Sequence, residues 1–430
     1  MVDQIPGLVD FTRTYRHRVL DEELDTLMPS LPALLLHGPK GVGKTATATQ
    51  RCATLRRLDE GPQRAIVGAD PRVIGGDRAP VLLDEWQRVP EVFDAVRRLV
   101  DEGPSPGHFL LTGRAPTRAT HSGAGRVATL RMRPLCLSER YESDERVSFE
   151  ELLLGRAAVR GRCPFRLEHY VEELTSGGFP GLRHLSGAPL RRQLDGYIER
   201  IVDHDMPEAG HAVRRPQAVR AWLRAYAAAN ATTTSWEKIR DAATSGGSAP
   251  ARGTTLAYID LLTYLHVLDP LEAWSPGNNH LGQLTTAPKH HLADPALAAR
   301  LVKRSAVQLL DGQEPEIVFP REGTYLGGLF ESMAAISVRT YAQRCKARVF
   351  HLRTRGGRQE IDFIVETGTG VLGVEAKLSA GVDGHDVRHL LWLREGLGDE
   401  CLGLVVLNAG PEAYVRPDGI AVVPVGSLCP

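Results

Sequence analysis

Eight consecutive residues, Gly38-Pro39-Lys40-Gly41-Val42-Gly43-Lys44-Thr45, match the phosphate-binding pattern G-x-x-x-x-G-K-[ST] at every fixed position. In such a loop the glycines let successive backbone N–H groups curl around an anion, and the following helix points its positive end at the same charge. Lys44 would neutralise the β- and γ-phosphates of a nucleoside triphosphate, and the Thr45 hydroxyl would hold Mg²⁺. About forty residues on, Val81-Leu82-Leu83-Asp84-Glu85 reads as a buried strand ending in two acids. Asp84 is placed to reach Mg²⁺ through water, and Glu85 to polarise an attacking water. Phe109-Leu110-Leu111-Thr112-Gly113-Arg114 is a third apolar strand with a polar end, where Thr112 or Arg114 would sense the γ-phosphate. Arg126, after Gly125, would stabilise transition-state charge in the same subunit or in a neighbour within an oligomer. The implied cofactors are ATP and Mg²⁺.

A second set of chemistry-bearing residues lies in the last third: Glu331, Glu360-Ile361-Asp362 and, thirteen residues after Asp362, Glu375-Ala376-Lys377. Positions i and i+2 of a strand share a face, so Glu375 and Lys377 project together. With Asp362 from a neighbouring strand they would form a two-carboxylate Mg²⁺ site beside a lysine, able to activate water for phosphodiester cleavage.

These groups need elements to hold them. Leu34-Leu35-Leu36 predicts a short buried strand before the glycine loop, and Thr45 to Leu55 a helix after it. From Phe165 to about Leu301 the apolar period is helical, with Tyr170, Leu174, Leu194, Ile198, Val219, Trp222 and Tyr226 as its markers. Ser235 caps a helix over Trp236 to Ala243, Thr254-Thr255 precede one over Leu256 to Leu265, and Val267-Leu268 pairs with Leu271 to Trp274. This is the pattern of a winged helix-turn-helix. Arg252, Thr254, Thr255 and Tyr258 would face bases, while Lys238, Arg240 and Arg214-Arg215 would face phosphates. Such a module either reads nucleic acid or packs between domains and transmits nucleotide state. Asp203-His204-Asp205 reads as a solvated helix end, since three adjacent helical residues diverge. In the last third, strands at 349–352, 361–365, 371–376 and 402–407 and a helix at 387–393 surround the acidic set.

The stretch from about Arg13 to Glu139 resembles the AAA-type ATPases of bacteria and archaea that carry a C-terminal domain of unknown function. The resemblance rests on Gly38 to Thr45, Asp84-Glu85-Trp86-Gln87 with Pro90, Leu111-Thr112-Gly113, Gly125-Arg126, Arg133-Pro134-Leu135 and Ser138-Glu139. It continues through Gly177-Gly178-Phe179-Pro180, Pro288-Lys289 and Asp294. The family usually has Ser after the sensor-strand glycine, and Arg114 stands there instead. In the last third, the order of elements with Leu329-Phe330-Glu331, Asp362 and Glu-x-Lys resembles the restriction-endonuclease-like PD-(D/E)xK fold. The resemblance implies an α/β protein of three parts: a P-loop AAA-like ATPase domain (1–145), a helical and winged-helix domain (160–305), and an endonuclease-like domain (320–430). It implies Mg-dependent ATP hydrolysis coupled to a domain that cuts or binds DNA or RNA. The alternative is an ATP-controlled switch that binds a protein or nucleic-acid partner without cutting it.

Composition agrees with a globular chain. The 430 residues carry 52 basic and 52 acidic side chains, so no uniform positive coat is offered to nucleic acid. No run of eighteen apolar residues occurs, so no membrane span is expected. The N-terminus lacks the basic and apolar pattern of a secretory leader, and the six cysteines are scattered. Both point to a cytoplasmic setting.

Overall fold

The computed structural model describes residues 15–115, 125–142, 145–244, 249–275, 284 and 287–430. Strands β1 (Ala33–His37), β2 (Thr54–Arg57), β3 (Val81–Asp84), β4 (Phe109–Gly113) and β5 (Ala128–Arg131) form a parallel sheet in the order β2-β3-β4-β1-β5. The central strands β1, β3 and β4 are covered on both faces, which is why they are apolar runs, while the edge strands β2 and β5 carry Arg and Thr. Leu34, Leu36, Leu82 and Leu110 pack into one core. Ala33, Leu35, Val81, Leu83, Phe109 and Leu111 pack into another on the opposite face. Because β4 lies between β1 and β3, the ends of three strands bring the glycine loop, Thr112 and Asp84 side by side.

The helix after the glycine loop is shorter than its sequence predicts. It spans Lys44–Thr49, and Leu55 instead lies in β2 opposite Leu82. Thr45, Thr47 and Thr49 are weak helix formers, and pairing on the sheet offers Leu55 a better place.

The middle region is helical, with Leu167–Ser176, Gly187–Arg200, Pro216–Ala228, Trp236–Ala242, Arg252–Tyr264 and Pro295–Leu301. The helix Gly187–Arg200 runs through one turn of π-helix, Ile201–Asp205, into Met206–Glu208. Ser235 caps Trp236–Ala242 as its sequence predicts, accepting from the Lys238 N–H. Two expectations for the winged element are corrected. The second helix starts at Arg252, so Thr255 and Tyr258 lie inside it and are buried, and neither can face a base. Val267-Leu268 does not pair with Leu271 to Trp274; Leu268 bridges Leu292, and Leu271 bridges Lys289. Buried Asp269, between them, is held by Arg131 at 3.1 Å and Arg339 at 2.8 Å, which keeps this stretch extended rather than turned. Residues 245–248, a glycine-containing stretch between the two helices of that element in the sequence, lie outside the described residues, as do Ser143 and Asp144 near the end of the first predicted domain.

The remaining strands are β6 (Val147–Ser148), β7 (Gly161–Arg162), β8 (Arg348–Arg353), β9 (Glu360–Glu366), β10 (Val371–Lys377), β11 (Cys401–Asn408), β12 (Glu412–Val415), β13 (Ala421–Pro424) and β14 (Leu428–Cys429). Seven of them make one mixed sheet, in the order β7-β12-β13-β11-β10-β9-β8. The long helix Tyr325–Arg344 packs on β8 and β10, and Arg388–Leu397 on β10 and β11. β6 pairs with β14 and β7 with β12, so the chain between the first two regions is woven into the third. Among the described residues no helix is long and apolar enough to cross a membrane.

Candidate functional site

The glycine loop has the geometry its sequence requires. Gly38 has φ 154° and so close a neighbour that a Cβ would lie 2.1 Å from the Met132 carbonyl oxygen. Gly43, at φ 98°, starts the helix in a conformation that disfavours side chains. Lys44 is buried, and its ammonium donates to the carbonyls of Gly38 at 3.0 Å and Pro39 at 2.8 Å. Burial pulls the Lys44 pKa down to about 8, against the opposing charges of Glu85 and Asp84. Thr45 Oγ1 donates to Asp84 Oδ1 at 2.8 Å, and the Thr112 hydroxyl donates to the same oxygen. Asp84 thus joins the loop helix to the neighbouring strand. The hydroxyl of Thr45 and carboxylate of Asp84 are hard oxygen donors of the kind Mg²⁺ takes, so the pair fits that ion.

Glu85 sits at φ 56° and ψ 47°, a left-handed conformation costing about 1 kcal/mol or more for a residue with a Cβ. Gln87 Nε2 donates to Glu85 Oε2 at 2.5 Å, and the Arg114 N–H donates to Gln87 Oε1 at 3.3 Å. Glu85, Gln87, Lys44 and Arg114 line one cavity with Gly38 and Lys40. Arg126 is not brought there: it pairs with Asp101 at 2.7 Å, so a catalytic Arg126 would have to act from a neighbouring copy.

The far wall of this cavity comes from the middle region, which sequence reasoning missed. Lys40 Nζ lies 2.5 Å from Asp205 and 3.7 Å from Glu208. Arg114 reaches Glu208 at 2.8 Å, and Arg88 pairs with the other oxygen of that carboxylate. Burial raises the Glu208 pKa, but Arg88, Lys40 and Arg114 outweigh it and hold the carboxyl below its ordinary range. Tyr197 Oη donates to the Lys40 carbonyl at 3.1 Å, and His37 Nδ1 lies 3.0 Å from His266 Nε2. These contacts narrow the cavity, which has a volume of about 20 Å³. Asp205 is therefore no solvated helix end. The π-turn aims it at the glycine loop, while Asp203 pairs outside with Arg220.

A second cavity, of about 670 Å³, opens beside β9 and β10. It brings together Glu331 from the long helix, Asp362 from β9, and Glu375 and Lys377 from one face of β10. Lys377 Nζ is 3.9 Å from Glu375. Asp362 Oδ2 accepts from the Ala376 N–H at 2.9 Å. A further residue stands among them. Lys289, 1% exposed, places its ammonium 2.9 Å from Asp362, 3.0 Å from Glu331 and 3.3 Å from Glu360. Burial would raise the Asp362 pKa, but Lys289 and then Lys377 hold it well below the usual range. Burial drives the Glu331 carboxyl up to about 8, and burial with the Asp362 charge drives Glu375 well up. With an ammonium at hydrogen-bonding distance from three acids, this donor set does not fit Mg²⁺ as arranged. Among the described residues no group of three or more His, Cys, Asp or Glu side chains is disposed to hold a metal ion.

The N-terminal site has counterparts in known proteins. A family described as an AAA domain matches residues 30–141, the part of the chain that holds the glycine loop, Asp84, Glu85 and Thr112. That region is thus similar to AAA-type P-loop ATPase domains. Two domains of unknown function match the rest, DUF8612 over residues 167–308 and DUF4143 over residues 326–428. Uncharacterized proteins of Mycobacterium bovis and Mycobacterium tuberculosis are each 28% identical over 283 residues, 63% of this chain and 56% of theirs. The chain thus spans little more than half the length of these curated relatives. Among solved structures, a Walker-type ATPase of Pyrococcus abyssi is similar at 16% identity and a TM-score of 0.39, covering 70% of this chain and 99% of that one.

Proposed function

We propose that this protein binds and hydrolyses ATP at the glycine loop, and that nucleotide occupancy is communicated to the middle region through Glu208 and Asp205. The observation that carries the reading is the convergence of Lys44, Glu85 and Arg114 on one cavity, with Asp84 tied to Thr45 at its edge. In this reading Lys44 neutralises the β- and γ-phosphates, and backbone N–H groups of Gly41 and Gly43 surround them. Thr45 and Asp84 would hold Mg²⁺, which supplies charge neutralisation on the phosphates. Glu85, oriented by Gln87, accepts a proton from the attacking water. Beside Lys44, the cations Lys40, Arg88 and Arg114 would be available to the γ-phosphate, and Asp205 and Glu208 pair with them. Thr112 and Arg114 then have separate tasks: Thr112 orients Asp84, and Arg114 exchanges Glu208 for phosphate.

The C-terminal region divides two readings. In the first, a cytoplasmic ATPase gates a nuclease-like domain acting on DNA or RNA through Asp362, Glu375 and Lys377. In the second, the same ATP cycle controls binding of a protein or nucleic-acid partner without cleavage, the helical middle region serving as a relay. Lys289 among the acids favours the second. Phosphate release from ATP by the full chain, with and without DNA and RNA, tests the proposal. Turnover lost in Glu85→Gln supports it. No turnover under any of these conditions removes it.

A further inference from the structure

Lys289 belongs to the middle region, yet its side chain ends inside the C-terminal cavity. Its backbone is fixed, because the Lys289 N–H donates to the Leu271 carbonyl and the Leu271 N–H to the Lys289 carbonyl, both at 2.8 Å. Its buried side chain places the ammonium among Asp362, Glu331 and Glu360. It donates a hydrogen bond to Asp362 Oδ1 at 2.9 Å and pairs by charge with Glu331 at 3.0 Å and Glu360 at 3.3 Å, whereas Mg²⁺ draws oxygens to about 2.1 Å. Both oxygens of Asp362 already accept hydrogen bonds, one from Lys289 and one from the Ala376 N–H. Glu360 is shared with Arg353, 3.5 Å from its other oxygen. A divalent ion at Asp362 would face the full charge of an ammonium held within 3 Å of its ligand, a repulsion the protein interior screens poorly.

We infer that the Lys289 ammonium is the resident cation of this cavity in place of a divalent metal, so that Asp362 and Glu375 do not ligate Mg²⁺ and no metal-dependent phosphodiester cleavage occurs there. Lys289 also ties the middle region to the C-terminal sheet through charge, as a metal bridging two domains would. The inference is independent of the ATP reading, since it involves no residue of the glycine-loop cavity.

Mn²⁺, which takes the same oxygen ligands, is the probe. Calorimetric titration of the nucleotide-free full chain should show no Mn²⁺ uptake that Glu375→Gln removes. Lys289→Met, which leaves the acids facing a gap of ammonium size, should gain a Mn²⁺ site at least about tenfold tighter than anything in the parent. That site should disappear again when Glu375→Gln is added. Saturable Mn²⁺ binding by the parent chain that is lost in Glu375→Gln would overturn the inference. So would a folded Lys289→Met protein with no gain in Mn²⁺ affinity. If Lys289→Met does not fold, titration of the parent and of Glu375→Gln decides the matter alone.

Discussion

The Asp205 carboxylate, at the end of a middle-region helix, lies 2.5 Å from the Lys40 ammonium inside the glycine loop. One turn on, Glu208 holds Arg114 and Arg88. Two acids from one region thus occupy three cations of another, at the place where the charge of a γ-phosphate would be felt. In the proposed reading ATP would compete with these carboxylates for the same partners, and nucleotide binding would be linked to the position of this helix.

Weakening the acids should therefore favour nucleotide. Glu208→Gln is expected to tighten Mg-ATP binding by about threefold to tenfold, a modest figure because the pairs are partly exposed and screened. The gain should be smaller for Mg-ADP, which lacks the γ-phosphate. Titration calorimetry with both nucleotides reads the difference. Weaker ATP binding in Glu208→Gln would show that the acid belongs to the binding surface instead of opposing it.

Glu85→Gln preserves size and keeps an acceptor for Gln87 while removing the carboxylate. ATP should still bind, and turnover should fall by about two orders of magnitude or more, the usual effect of losing a general base. Phosphate release under single-turnover conditions is the measurement. Parent-level turnover would leave Glu85 as a strand-end acid and require another group to position the water.

The burial of His37 and His266 sets a pH dependence. Burial, with Arg131 next, lowers the His37 pKa to about 4 from the ordinary 6.5, and His266 falls further for the same reasons. The unfolded chain takes up protons near 6.5 while the folded one does not, so this contribution is complete above 6.5. It is lost progressively as pH falls toward about 4, and for His37 amounts to about 3 kcal/mol at most. Denaturant unfolding across that window should show a steeper loss of stability in the parent than in His37→Asn. Equal slopes would mean that His37 is as hydrated folded as unfolded.

Sequence patterns located the parts of both sites but not their partners. The glycine loop, Asp84 and Glu85, which the structure brings together, stand out in the sequence because their spacing matches a phosphate-binding pattern. Strands β8, β9, β10 and β11 of the C-terminal sheet were legible from their aliphatic runs, whereas β7, β12 and β13 were not, and Asp362, Glu375 and Lys377 do share a cavity. Asp205, Glu208 and Lys289 were not. Their roles depend on packing between regions more than forty residues apart, and no local period encodes that. Asp205 was misread as solvated because an α-helical projection does not allow for the π-turn that redirects it. Lys289 stood in a quoted Pro-Lys pair, but nothing in its neighbours announced an ammonium buried among three acids.

The central claim is that residues 38–45 hold the phosphates of ATP, and the most direct test is equilibrium binding of Mg-ATP to the parent chain and to Lys44→Ala. The account predicts saturable binding by the parent and a loss of about a hundredfold or more in the variant, since a buried charge aimed at the phosphates is removed. Circular dichroism would check that the variant is folded. Undiminished Mg-ATP affinity in a folded Lys44→Ala protein would contradict the account.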